Sequence, residues 1–256
     1  MKYQLKLLLT AIMFYTRIPV PKKLDYSTEL LNSSTKYFPL IGWVVGGFGA
    51  LVFYICLLVL PLSISVILSM ISTILLTGAF HEDGLADSCD AFGGGWSKEK
   101  ILEIMKDSRI GTYGTVGLIL ILLTKYFCLT NVMVEQIPFV LFAGHALSRY
   151  SATGMIFFSE YARDDAKSKS KPVGKSLSQT DNMIAFIFGT TPLLIFSINY
   201  SYWYLLILIT IVPIIYFLKR YFEKWIGGFT GDGLGATQQV SEIVFYLSFI
   251  IISNFI

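Results

Sequence analysis

Residues 80–114, FHEDGLADSCDAFGGGWSKEKILEIMKDSRIGTYG, set a dense acidic and glycine-rich insert between two long apolar runs. Residues 62–79 before it carry no charge, and of the dozen residues from Gly114 onward only Lys125 does. In a chain of which only 14% is charged, polar chemistry belongs in such an insert. If the helix arriving from Leu68 continues past His81, then Asp83, Asp87 and Asp90 fall at i, i+4 and i+7 on one face. Neighbouring carboxylates repel by on the order of 4 kcal/mol for a pair about 4 Å apart at an effective dielectric near 20. The cluster therefore calls for a counter-charge. Oxygen ligands without a nearby cysteine pair or paired histidines favour Mg²⁺ or Mn²⁺ over zinc. A solvated helix end is the alternative, and it explains scattered acids better than acids at helical spacing.

Outward from the insert, the 256 residues are 54% hydrophobic with a mean hydropathy of +0.65, well past the composition of a soluble domain. This predicts an all-α, polytopic membrane helix bundle. We read residues 1–256 as a single membrane-embedded catalytic domain. A formal net charge of +3 is too small to argue for nucleic acid. Cys56, Cys89 and Cys128 are odd in number and give no disulfide framework. The N-terminal MKYQLKLLLTAIMFYTRIPVP imitates a signal peptide, yet no small-residue cleavage site follows. It reads as a retained, membrane-associated helix, short for a full crossing.

A hydrocarbon core of about 30 Å asks for roughly 20 apolar residues per helix. Candidate spans are 38–60, 62–80, 112–134, 137–158, 182–199, 201–218 and 236–256: seven, or eight if the N-terminal segment crosses. A short interfacial helix joins them. Segments 17–37, 81–111, 159–181 and 219–235 hold all the loop lysine and arginine, while the short links and the C-terminal end hold none. By the positive-inside rule those four segments face the cytoplasm, and both glycine-rich inserts come with them.

Within the first insert, Gly93 to Gly95 are expected to break the helix and let backbone N–H groups approach a ligand, with Gly93 and Gly94 as binding positions. Ser97 reads as the N-cap of a helix whose Ile101, Leu102, Ile104 and Met105 could lie on the membrane surface. Its end, Lys106-Asp107-Ser108-Arg109, is rich in groups able to hold phosphate oxygens, although an ordinary positive loop would look similar. The second insert, GGFTGDGLGATQQVSEI from Gly227, places Asp232 among glycines ahead of the last helix. Gly231 there would offer free N–H groups to an anion, and Asp232 could complete a metal site. Lys125, His145 and Arg149 fall inside predicted spans, where charge is costly. Arg149 is the best of them for a phosphate or carboxylate partner. His145 fits a satisfied core histidine, and Lys125 fits a snorkelling side chain equally well. The connector ARDDAKSKSKPVGKSLSQTD reads as a cytoplasmic link whose lysines attract anionic lipid or nucleotide.

Carboxylates, basic groups and glycine turns at one end of a helix bundle fit phosphoryl or nucleotidyl transfer, with a metal neutralising developing charge. HEDGLADSCDAFGGG, EIMKDSRIGTYG and GGFTGDGLGATQQVSE, with FYTRIPVP and FPLIGWVVG earlier, resemble the cobalamin synthase (adenosylcobinamide-GDP ribazoletransferase) family over almost the whole chain. The resemblance implies a Mg²⁺-dependent enzyme of a prokaryotic inner membrane, its site facing the cytoplasm. It would transfer the adenosylcobinamide phosphoryl group from adenosylcobinamide-GDP to the 5′-hydroxyl of α-ribazole, or its 5′-phosphate, releasing GMP. Carried over residue by residue, Asp83, Asp87 and Asp90 match the acidic motif, Lys106, Asp107 and Arg109 the KDSR motif, and Asp232 the late glycine-rich motif. Ala91 departs from the family, which more often has glycine there. On this basis Asp83, Asp87, Asp90 and Asp232 hold the metal, Lys106 and Arg109 neutralise the departing GMP, and Asp87, Asp107 or His81 takes the proton.

Two other classes compete. A CDP-alcohol phosphatidyltransferase also has aspartates at the cytoplasmic end of a helix bundle, but Asp87 stands where its motif wants arginine. A cation-coupled transporter could use Lys125, His145 and Arg149, yet the acids sit at a membrane end and no inverted repeat is visible.

Overall fold

We describe the protein from a computed structural model over residues 2–21, 24, 27–162, 174 and 176–256. Eleven α-helices account for almost all of it: α1 (Lys2–Tyr15), α2 (Thr28–Ser34), α3 (Phe38–Leu57), α4 (Leu62–Thr77), α5 (Phe80–Gly94), α6 (Lys98–Ile104), α7 (Thr112–Thr130), α8 (Ile137–Phe158), α9 (Gln179–Asn199), α10 (Ile207–Ile226) and α11 (Gly231–Ser253). Each of the seven segments read as a span overlaps one of these helices, four of them enclosing it, while α9, α10 and α11 run beyond the expected bounds. By length and apolarity alone, five stretches among the described residues can cross a membrane, or six if the bent pair α4 and α5 counts as one. α8 does not count among them, and the reason is its place in the bundle. It is the central helix, and small and polar residues (Gly144, His145, Ser148, Arg149, Ser151, Thr153, Gly154) let its neighbours close around it.

The tightest of those packings is α3 on α8. A Cβ added to Gly46 would lie 2.8 Å from Leu141 O, and one added to Gly42 would run into His145 O. Gly42 and Gly46 thus form a small-xxx-small stripe that brings two backbones into contact, the usual way apolar helices associate where lipid removes the hydrophobic drive. Toward the other side, Leu141, Leu147, Phe196, Tyr204, Ile207, Phe245 and Phe249 build the largest apolar core from α8, α9, α10 and α11.

The helix from Leu68 does not run through His81. It ends at Thr77, and Gly78 (φ 68°) and Ala79 (φ 57°) both take the left-handed conformation. Two such residues break the hydrogen-bond ladder, so α5 leaves at 87° to α4. The Arg17 side chain packs on Gly78, and Arg17 N–H donates to Leu76 O at 2.7 Å, tying the N-terminal segment to the bend.

The four basic segments meet at one end of the bundle. Lys36 pairs with Asp181 at 2.9 Å, and Gly174 N–H donates to Asn32 Oδ1 at 2.8 Å, joining 17–37 to 159–181. A parallel bridge between Tyr161 and Phe229 joins 159–181 to 219–235. The apolar face of α6, expected on the membrane surface, packs into the protein instead. Ile101 and Met105 pack with Phe222, Ile226 and Phe229 beneath it, because the C-terminal end of α10 extends well past the predicted residue 218. Most of the lysine-rich connector, with Lys22 and Lys23, lies outside the described residues.

Candidate active site

α5 and α11 cross where glycine removes the side chains between them. A Cβ on Gly84 would sit 2.9 Å from Asp232 O and 3.3 Å from Gly235 Cα, and one on Gly235 would sit 3.1 Å from His81 O. This crossing brings the acidic motif and the late glycine-rich motif together. Asp83 is exposed beside it, Asp87 follows one turn along α5 and is half-buried, and Asp232 is half-buried. Asp232 was expected ahead of the last helix; it lies in the first turn of α11, which Thr230 caps by accepting from Gly233 N–H at 3.1 Å. Both helices present their N-terminal ends here, and the positive ends of their dipoles favour an anion.

The remaining acidic position does something else. Asp90 accepts from Gly111 N–H at 2.7 Å and Gly114 N–H at 2.8 Å, one through each oxygen. It therefore caps the start of α7, which has no side-chain cap of its own, and is not grouped with Asp83 for a metal. Among the described residues no group of three or more His, Cys, Asp or Glu side chains is placed to hold a metal ion.

The glycines also differ from expectation. Gly93 and Gly94 lie inside the last turn of α5, which ends only at Gly95. A Cβ on Gly93 would strike the Tyr113 ring, so its missing side chain makes room for an aromatic and not for a ligand. Gly231, in contrast, has nothing among the described residues within 4 Å of where a Cβ would be.

Lys106 is exposed at the end of α6. Arg109 grips Asp107 with Nε at 3.0 and 3.1 Å and a terminal nitrogen at 2.6 Å. The Arg109 side-chain and backbone bonds hold the Asp107 carboxyl down to about 2, which makes it a poor proton acceptor, and Asp107 in turn raises the guanidinium. His81, the other candidate base, is buried with its ring stacked on Phe38 (centroids 5.5 Å) and edge-on to Phe80. It does not open onto the surface that carries Asp83.

Arg149 was expected at the substrate. Its side chain is 1% exposed, donates to His145 O at 3.0 Å, meets His145 Nδ1 at 3.1 Å and lies over the Phe38 ring. Lys125 does not snorkel; it is buried and pairs with Glu242 at 3.1 Å. Glu242 also accepts from Tyr246 Oη at 2.9 Å and Gln238 Nε2 at 2.8 Å. Gln239 Nε2 donates onward to Gln238 Oε1 at 2.9 Å and to Glu82 Oε1 at 3.0 Å. Lys125, His145 and Arg149, ionisable inside predicted spans, signalled this buried network, whereas nothing in the sequence singled out Glu82.

A multi-pass membrane helix bundle with an acidic, glycine-lined crossing at one end is thus the class that fold and site define. The chain belongs to the cobalamin-5-phosphate synthase family, whose model matches residues 7–250. It is 46% identical over 250 residues to an adenosylcobinamide-GDP ribazoletransferase of Shewanella amazonensis, covering 96% of this chain and 95% of the relative. A protein of the same name from Leptospira interrogans is 46% identical over 241 residues (92% and 91%), and one from Vibrio cholerae 44% over 253 (96% and 94%). No solved structure matches the chain.

Proposed function

We propose that this chain is an adenosylcobinamide-GDP ribazoletransferase, joining the adenosylcobinamide phosphoryl group to α-ribazole or its 5′-phosphate with release of GMP. The observation that supports the reading is the α5–α11 crossing, where Gly84, the neighbour of Asp83, meets the Asp232 backbone at the end of the bundle where the basic segments gather. By the distribution of those basic residues, that end faces the cytoplasm of a prokaryotic inner membrane.

The acceptor hydroxyl needs amending. A product that keeps a 5-phosphate, as the family description has it, leaves the 5′ position occupied. A single attacking group common to both acceptors is therefore another ribose hydroxyl. Its oxygen forms a bond to the cobinamide-side phosphorus as the bond to the GMP oxygen breaks, and its proton passes to a base. Asp107 is committed to Arg109 and His81 is buried, so we assign the proton to Asp87, with Lys106 and Arg109 facing the departing phosphate.

The residues fit Mg²⁺ in one of two ways. They do not make a closed protein cage, but Mg²⁺ is commonly held by one or two carboxylates with substrate phosphates and waters completing its shell. Asp83 and Asp232, with Asp87 near, supply that donor set; Asp90 does not. When bound, the ion would neutralise charge on the diphosphate oxygens. The test is GMP release from adenosylcobinamide-GDP and α-ribazole by purified protein in lipid, with and without Mg²⁺. Release that is absent in every divalent cation, or that proceeds unchanged in excess chelator, refutes the activity or the metal respectively.

A further inference from the structure

A small cavity of about 20 Å³ lies among the helices, lined among others by His81, Glu82, Lys125, Arg149, Gln239 and Glu242. Four of these residues each have a buried polar atom with no partner among the described residues: His81 Nε2, Glu82 Oε2, Arg149 Nε and Gln239 Oε1. All four residues are at most 9% exposed. Leaving such atoms unmade is expensive, and four on the wall of one cavity is not accidental packing.

Charge and hydrogen-bond inventory together identify the occupant. Lys125 and Arg149 line the cavity in equal number with Glu82 and Glu242. A bare cation or anion would leave a buried charge unpaired. Arg149 Nε–H can only donate, and Glu82 Oε2 and Gln239 Oε1 can only accept. With His81 carrying its proton on Nε2, the walls offer two donors and two acceptors, the complement of one tetrahedral water. The volume admits one such molecule.

We propose that this cavity is a built site for a single ordered water, which closes the network joining α5, α8 and α11 directly behind Asp83. The water accepts from Arg149 and His81 and donates to Glu82 and Gln239, and it sets the His81 tautomer.

Two measurements test this without reference to catalysis. In a map of the protein in lipid nanodiscs that resolves ordered water, one peak should lie within hydrogen-bond reach of all four atoms. An empty cavity overturns the proposal, and so does a peak at the shorter distances of a metal ion. Thermal unfolding should also be the same in NaCl, KCl and choline chloride at equal ionic strength; stabilisation specific to Na⁺ or K⁺ would show a cation there. Gln239→Leu should abolish the peak and lower the midpoint by roughly 2–8 °C. Glu82→Gln, whose single amide oxygen must still accept from Gln239 Nε2 and so turns an N–H donor to the cavity, should displace the peak as well; a peak unchanged in both variants would overturn the assignment.

Discussion

Lys125 Nζ on α7 lies 3.1 Å from Glu242 Oε2 on α11, with both side chains almost wholly out of contact with solvent. Removing one partner leaves the other buried without its direct ion pair, and breaking a buried pair in this way typically costs about 3–5 kcal/mol. Lys125→Met should therefore unfold at clearly lower denaturant. Lys125→Met with Glu242→Gln should recover much of that loss, because the amide keeps acceptor and donor groups for Tyr246 and Gln238 without the charge. Unfolding in bicelles measures both, and strictly additive losses would mean that the pair does not interact.

Gly84 and Gly231 make opposite predictions. Gly84→Val places methyl groups against the Asp232 backbone, so α5 and α11 must separate, at a cost of about 1–3 kcal/mol and with at least tenfold loss of turnover. Gly231→Ala meets nothing and should leave folding unchanged. If Gly231→Ala raises KM for adenosylcobinamide-GDP, the open side of Gly231 faces substrate.

Asp83 and Asp90 share a helix face in sequence but should separate in assay. Asp90→Ala removes the acceptor of two N–H groups at the start of α7 and should lower stability by about 1–2 kcal/mol. Asp83→Asn should lower turnover at least a hundredfold while the unfolding midpoint stays put, since the Asp83 side chain is exposed. An active Asp83→Asn enzyme would remove the metal assignment.

The Asp107 carboxyl, held down to about 2 by Arg109, sets a pH expectation. A depressed carboxyl contributes stability above its unfolded value near 4 and loses it only as pH falls through about 2. Between pH 5 and 9 the Asp107–Arg109 pair does not change charge. Asp107→Asn should therefore leave the shape of the pH–rate profile unaltered across that range, whatever happens to its height. A displaced acid limb would make Asp107 the base after all.

Apolar runs of helix length, basic residues confined to alternate loops, and short motifs are local properties, so the helices and their likeness to one family could be read from residue order alone. What Asp90, Gly93, Arg149 and Glu82 do could not, because each answers to a group far along the chain. Asp90 serves Gly111 and Gly114, Gly93 serves Tyr113, and Glu82 serves Gln239. The left-handed pair Gly78 and Ala79 turned α5 across the bundle and thereby chose which acids face outward and which face in. Composition and periodicity specify a helix and its faces, but a charged side chain in an apolar bundle takes its role from whichever opposite charge or donor packing brings within about 3 Å, and only the tertiary structure decides that.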